Sequence, residues 1–420
     1  MTTRDYFTDP SVLLDPYAYF EEIRQFGPVY KEPERGLYYV TGHDEAIEVL
    51  RNGDDFSAVI NVGGPLVPLP FEPQGDDISA DIEKHWAEIA GPDLVVSYDG
   101  HRHSQARALL NKLFVPSRLK ANEEYMQQLA EKMAADVVAA GQCEAVKQIG
   151  VRYVTLVIAD LLGVPEDDRE TFMDVIDKGP TAGDMTVGEA GQDMSSLIFM
   201  GQYFFQYLAE RRTTPRDDIM SELANANFPD GTTPDLVEIV KLAVFLFAAG
   251  QDPSAKLLGN SLRMLAENVP LQDELRANPK ALKGFIEERL RLEGSTKATF
   301  RLARRTVNIG GVDIPAGSKL VVMVGAANRD PGRWEQPCEH IEGRKGIAEH
   351  LAFGRGAHTC IGAPLARVEV RIMLEQLLAR TRLIAIDESQ HGAEGDRRFA
   401  YDPSYIIRGL SKLYLKLDQR

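Results

Sequence analysis

The stretch HLAFGRGAHTCIGAPLARVEVRIMLEQLL, residues 350–378, decides how this chain folds and where its chemistry lies. A glycine-turned loop runs into an apolar-periodic helix and delivers Cys360 to the helix start. Gly354 and Gly356 permit a sharp, close-approaching backbone before the cysteine, and Gly362 keeps its far side uncluttered. Pro364 falls in the first turn of the run Leu365, Val368, Ile372 and Leu377, where a missing N–H costs little. Cys360 is therefore expected at a helix N-terminus, where unpaired N–H groups and the helix dipole favour a sulfur anion. A lone cysteine is most often a small buried hydrophobe. This setting suits a thiolate metal ligand instead.

The segment FGRGAHTCIG resembles the haem-binding loop of the cytochrome P450 family, Phe-Gly-x-Gly-x-(His/Arg)-x-Cys-x-Gly. Phe353, Gly354, Gly356, His358, Cys360 and Gly362 fill every fixed position. The resemblance implies the family's fold, mainly α with small antiparallel β-sheets. It also implies haem b, with Cys360 as the proximal thiolate on iron. Such ligation pushes electron density onto the metal and favours O–O cleavage.

By the same resemblance, His358 reaches a haem propionate. His103 and Arg107, in HRHSQARALLNKLF, share one helix face and match the family's His-x-x-x-Arg. Arg301, in FRLARRT, matches its Arg-x-Ala, with Arg304 and Arg305 as neighbours that blur the register. Two carboxylates at the edge of an apolar pocket need paired cationic donors, and arginine's planar fork suits them. Glu288 and Arg291, in FIEERLRLEG, match the family's Glu-x-x-Arg, a buried structural pair. The resemblance covers nearly the whole chain.

Composition sets the bounds. A chain of 420 residues with 44% hydrophobic content can bury a large core. No linker, low-complexity tract or repeat divides it, so residues 1–420 read as one domain. Cys143, Cys338 and Cys360 are too few and scattered for a disulfide framework or zinc site, which fits a reduced, cytoplasmic chain. The first residues carry charges and prolines and lack a signal-peptide core. The most apolar run, 236–250, is interrupted by Glu238 and Lys241 and is too short for a membrane span. A formal charge of −16 disfavours nucleic acid, which is bound through a basic face.

Along the chain, residues 15–28 read as a capped helix closed by Gly-Pro, and LYYVTGHDEAIEVLRN as a strand followed by a helix. Residues 57–98 are rich in Gly, Pro and acids, with a helix expected near 78–90. Long loops in compact domains are usually functional or disordered, and the family places a substrate lid here. Helical patterning dominates 102–292, and strands return over 305–324 with turns at Gly310-Gly311 and Pro315-Ala316-Gly317.

The run VFLFAAGQDPSAKLLG departs from the family. Residues 242–249 are apolar all round, as in a buried helix; Gly250, Asp252 and Ser254 then interrupt it. In the family the corresponding segment lies over haem, an acid feeds a proton network, and a threonine hydroxyl orients dioxygen and water. Gly250 and Asp252 match, but Pro253 stands at the threonine position. Proline brings no hydroxyl and breaks the bond to the Ala249 carbonyl. Four readings stand: a structural kink alone; Ser254 or an ordered water in place of the hydroxyl; a substrate hydroxyl; or peroxide as the oxidant. The second is favoured because Asp252 persists, a buried carboxylate being costly unless it relays protons or is hydrogen-bonded.

The resemblance thus implies a monooxygenase that hydroxylates a small, mostly apolar molecule of terpenoid, steroid or aromatic type. Its oxidant is dioxygen, and its electrons come from an external ferredoxin and ferredoxin reductase. These dock near the Cys360 loop, where Arg102, Arg107, Lys112, Arg344, Lys345 and Arg355 are expected to form a basic patch. The pocket draws on residues 57–98 and 179–207, on Phe245 and Ala249, on Lys297, Ala298 and Thr299, and on Tyr405 and Ile406. Two rivals are a peroxide-driven or rearrangement catalyst, motivated by Pro253, and a non-catalytic haem sensor. Fold analogy alone does not separate them.

Overall fold

The computed structural model describes residues 4–90, 93–178 and 195–420. Its spine is the helix Leu236–Glu267, which starts with a reciprocal capping box between Asp235 and Glu238. Leu242, Ala243, Leu246 and Phe247 are buried along it. The helices Arg152–Leu161, Ser195–Thr213 and Ala363–Arg380 pack against it. The expected interruption near Gly250 is corrected, because the helix runs unbroken through Pro253. An interior proline costs about 3 kcal/mol. Packing on several sides is sufficient to hold the helix through that single lost bond.

Five short strands build the main sheet in the order β1-β2-β8-β5-β3. They are β1 (Val29–Lys31), β2 (Tyr38–Val40), β3 (Phe56–Ser57), β5 (Thr299–Ala303) and β8 (Lys319–Val322). All neighbours are antiparallel except β2 and β8, where Tyr38 pairs with Leu320 in parallel. A second sheet places β10 (Tyr414–Gln419) between β4 (Gln142–Glu144) and β9 (Thr381–Ile386). Strands β6 (Val307–Ile309) and β7 (Val312–Ile314) form a hairpin turned by Gly310 and Gly311, both at positive φ.

Near the N-terminus, Asp15 caps the helix Pro16–Arg24 through the N–H groups of Tyr17 and Ala18. Residues 57–90 are pinned to the sheet. The Asn61 side chain accepts from Thr299 Oγ1 at 2.6 Å and from the Phe300 N–H at 3.1 Å. Ile78 N donates to the Arg304 carbonyl at 2.8 Å. The helix expected over 78–90 is two short ones, Ser79–Lys84 and Trp86–Ala90, separated at His85. Of the expected pocket region 179–207, residues 179–194 lie outside the described residues.

Candidate active site

Cys360 leaves the loop where the backbone is most constrained. Its N–H donates to the Phe353 carbonyl at 2.9 Å, closing the turn. Gly354 and Gly356 have φ of +66° and +75°. A Cβ at Gly356 would lie 2.5 Å from the Leu50 carbonyl oxygen, so only glycine fits against the helix His43–Arg51. The following helix begins at Ala363, with Gly362 as its N-cap and Pro364 in its first turn.

The N–H groups of Gly362 and Ala363 bond the sulfur, and Arg107 and Arg367 add positive potential. Burial nevertheless prevails and raises the Cys360 thiol, so the expectation that the helix start alone favours the thiolate is corrected. The side chain is accessible, yet the protein around it withholds solvation from an anion.

Beside the loop, four nitrogen-bearing side chains converge from three parts of the chain. His103 and His358 have ring centroids 4.1 Å apart, inclined at 38°. Arg107 Nη2 donates to the Thr359 carbonyl at 2.8 Å. Arg301 is buried and donates to the Phe300 carbonyl at 2.7 Å. Burial, reinforced by Arg107 and Arg301, pulls His103 down to about 4. Burial, then Arg301, His103 and Arg107, pulls His358 down to about 2. Burial lowers Arg301 to about 10.

The adjacent arginines have different fates. Arg304 bonds Asp99 at 2.7 Å, and Arg305 reaches out to Asp77 at 2.8 Å. Asp99 also accepts from Ser57 Oγ and the Ala58 N–H. Among the described residues, neither Arg107 nor Arg301 makes an ion pair, so their charge stands open to an anion.

The spine helix presents a half-open stripe. Phe245, Asp252 and Pro253 are partly exposed and Ala249 fully so, in a helix otherwise largely buried. These positions share one face at the spacing i, i+4, i+7, i+8. The expectation of burial all round is thus corrected at Phe245 and Ala249. An apolar wall around a recess has the same composition as a packed core.

Asp252 differs from its expected setting too. It is partly exposed and lies 3.5 Å from Lys256 Nζ, which also pairs with Asp402. The argument from a buried Asp252 therefore falls. The buried carboxyl next to this stretch of the spine is Glu369, on the post-cysteine helix, which accepts a hydrogen bond from Ser254. Burial raises Glu369 to about 8, against the Ser254 hydrogen bond. Its signal was a glutamate on the same face as Leu365, Ile372 and Met373, all buried.

That shift has a measurable consequence. A carboxyl with a higher pKa folded than unfolded contributes stability fully below its ordinary value, 4.5, and loses it as pH rises through about 8. Glu369→Gln removes the titration. Its melting temperature relative to wild type should climb between pH 5 and pH 8, with an underlying gain of about 1.4 kcal/mol per pH unit at most. Parallel curves in a thermal scan would refute the assignment.

The other pocket expectations divide. Thr299 and Ile406 keep accessible surface, but Ala298 is sealed in the apolar core. Lys297 is corrected: it is buried, and its Nζ donates to the Ser404 carbonyl at 2.6 Å. Burial lowers it to about 7, so it clamps the C-terminal segment rather than offering an exposed charge. The basic patch is reduced as well. Arg344 turns inward to Glu288 at 2.8 Å, Arg102 pairs with Asp93 at 2.8 Å, and Arg107 joins the imidazoles, while Lys112 and Lys345 remain exposed and Arg355 half-buried.

Two buried clamps hold the loop. Arg291 grips Glu288 with two bonds of 2.8 Å and donates to the carbonyls of Asn328 and Pro337. Next to it, Glu287 accepts from Arg367 at 2.5 and 2.9 Å and pairs with His350 Nε2 at 3.0 Å. This second clamp escaped sequence reasoning, although His350 and Arg367 lie within the deciding stretch.

A mainly helical fold with an accessible, N–H-capped cysteine beside two arginines free of ion pairs and two imidazoles suits a protein built around a thiolate-held cofactor. The cytochrome P450 family model matches residues 192–397. The chain is 31% identical to cytochrome P450 144 of Mycobacterium tuberculosis over 96% of its own length and 89% of that relative. It is 29% identical to the monooxygenase PikC of Streptomyces venezuelae, over 96% and 91%. The substrate-free structure of Mycobacterium marinum CYP150A6 superposes with a TM-score of 0.92 at 43% identity, over 99% of both chains. CYP109E1 of Bacillus megaterium, solved with corticosterone, gives 0.80 at 27% identity, over 97% and 100%.

The chain belongs to the cytochrome P450 family and is a haem-thiolate monooxygenase, an oxidoreductase. Among the described residues no helix is long and apolar enough to cross a membrane. The donors present fit haem: an accessible thiol receives two backbone N–H groups, and the buried Arg301 and half-buried Arg107, neither in an ion pair, suit an anionic cofactor edge.

Proposed function

We propose that this protein hydroxylates a small, mostly apolar organic molecule of terpenoid, steroid or aromatic type, using dioxygen and electrons from an external ferredoxin and its reductase. The observation carrying this reading is the cluster of Arg107, Arg301, His103 and His358 beside Cys360, in which neither arginine makes an ion pair among the described residues. Cys360 would ligate haem b, with Phe353, Gly354 and Gly362 shaping the loop and the four nitrogen groups taking the propionates. Bound haem supplies the oxygen-activating chemistry.

The chain's own part is positioning and proton management. The half-open stripe of Phe245 and Ala249 offers apolar substrate a wall, with Thr299, Ile406 and the lid 57–98 around it. The CYP109E1 complex with corticosterone supports a steroid as a substrate type to try first. Pro253 has no hydroxyl to give. Ser254 Oγ, bonded to Glu369, takes over proton handling, and Glu369 keeps its proton at neutral pH. Gly250 lets the helix approach Ile158 closely: a Cβ there would lie 3.1 Å from Ile158 Cδ1.

A panel of steroids, terpenoids and aromatics, assayed with ferredoxin and reductase, should give substrate-dependent oxygen uptake matched by hydroxylated product. Ser254→Ala and Glu369→Gln should each lower product formed per electron by about tenfold or more. Equal turnover with peroxide alone, unaffected by either variant, favours the peroxide-driven reading. Haem binding with no uptake for any compound would leave a sensor.

A further inference from the structure

Away from the cysteine loop, the spine helix, the helix Leu282–Glu293 and the segment around His340 border a half-open cavity of about 430 Å³. Its walls include Arg263, Arg289, Arg329, Glu267, Glu293 and His340. Arg289 is 6% exposed, and among the described residues it makes no hydrogen bond, ion pair or ring contact. Its Nε is wholly enclosed and unpartnered, as is Arg329 Nε, while the buried ring nitrogens of His340 make no hydrogen bond and Nε2 lies 3.9 Å from Glu342.

Three acids line the cavity, Glu267, Glu293 and the exposed Glu339, and the first two are already engaged. Glu293 accepts from the Tyr17 hydroxyl at 3.0 Å and lies 3.5 Å from Arg408 and 3.6 Å from Arg329. Glu267 lies 3.2 Å from Arg263 and 3.9 Å from Arg397. Against the three carboxylates Glu267, Glu293 and Glu339 stand Arg263, Arg289 and Arg329 in the walls, with Arg397 and Arg408 close to Glu267 and Glu293, so guanidinium charge is in excess. Burial penalises the Arg289 cation, and Glu293 only partly offsets it. Lysine or histidine could escape by deprotonating; arginine cannot. An unpaired buried charge costs several kcal/mol, so this arrangement calls for an anionic partner.

We infer that the cavity binds a phosphate group, free or carried as the ester of a small metabolite, with Arg289 as the principal donor and Arg329 and His340 beside it. The volume exceeds the needs of a lone ion and leaves room for an attached organic group. Cys338, which also lines the cavity, is exposed and bonds Arg329, and so reports on occupancy.

The test uses the full-length haem-loaded protein. Inorganic phosphate, in thermal scans at ionic strength matched with potassium chloride, should raise the melting temperature saturably. Arg289→Gln should weaken that binding about tenfold or more, the usual loss with a charge-assisted hydrogen bond. Because this variant could fail to fold, the wild type is also treated with a thiol reagent, and phosphate should slow modification of Cys338 where chloride does not. Tighter binding of glucose 6-phosphate or AMP than of phosphate supports an ester ligand; equal or weaker binding supports the free ion. No phosphate-specific effect in the wild type, or an undiminished one in folded Arg289→Gln protein, overturns the inference.

Discussion

Cys360→Ala protein is expected to fold yet lose all substrate-dependent oxygen consumption, together with the long-wavelength Soret band of the dithionite-reduced, carbon-monoxide-treated protein. The two consequences differ in physical origin. The thiol is accessible and fills no packed space, so its removal should change the stability of the haem-free chain by less than about 1 kcal/mol. The electronic effect has no substitute, because thiolate donation to iron comes from one atom. Cys143 is buried and Cys338 lines the separate arginine cavity, so Cys338→Ala serves as the control and should keep the band. A normal band in Cys360→Ala, or its loss in Cys338→Ala, would remove Cys360 from the proposed site.

The cysteine loop was legible in the sequence because its constraints are local. Gly354 and Gly356 are needed within a few residues of the sulfur, and both have left-handed backbone. His103, Arg107, Arg301 and His358 were legible only through family resemblance; their convergence depends on contacts between distant segments. What stayed hidden required knowing a side chain's partner. Glu369 meets Ser254 across more than a hundred residues, and Lys297 meets Ser404. Arg344 looked like surface charge because nothing nearby in sequence reveals that Glu288 faces it. Asp252 misled for the opposite reason: a motif acid reads as buried, whereas Lys256 one turn on holds it in an ion pair.

Glu288→Ala should be the most damaging single substitution for stability. The carboxylate is 1% exposed and accepts from Arg291 twice, from Arg344 and from the Ile341 N–H. Burial opposes its ionisation, but the Arg291 and Arg344 hydrogen bonds outweigh that and hold its pKa below the ordinary value. The stability it contributes is therefore present above that ordinary value and lost as pH falls through the folded one. Alanine leaves Arg291, equally buried, without its carboxylate, and breaking such a pair costs about 3–5 kcal/mol. That is a large share of the roughly 5–15 kcal/mol by which domains of this kind are stable. Denaturant unfolding should show the loss, with little recoverable haem protein at growth temperature. Arg291 would still bond the Asn328, Pro337 and Glu339 carbonyls, so its own removal adds damage. The double variant with Arg291→Ala should nevertheless lose less than the sum of the two singles, because neither charge is then stranded. Additive losses would mean that the pair contributes nothing as a pair, and that the backbone contacts alone secure the segment before the cysteine loop.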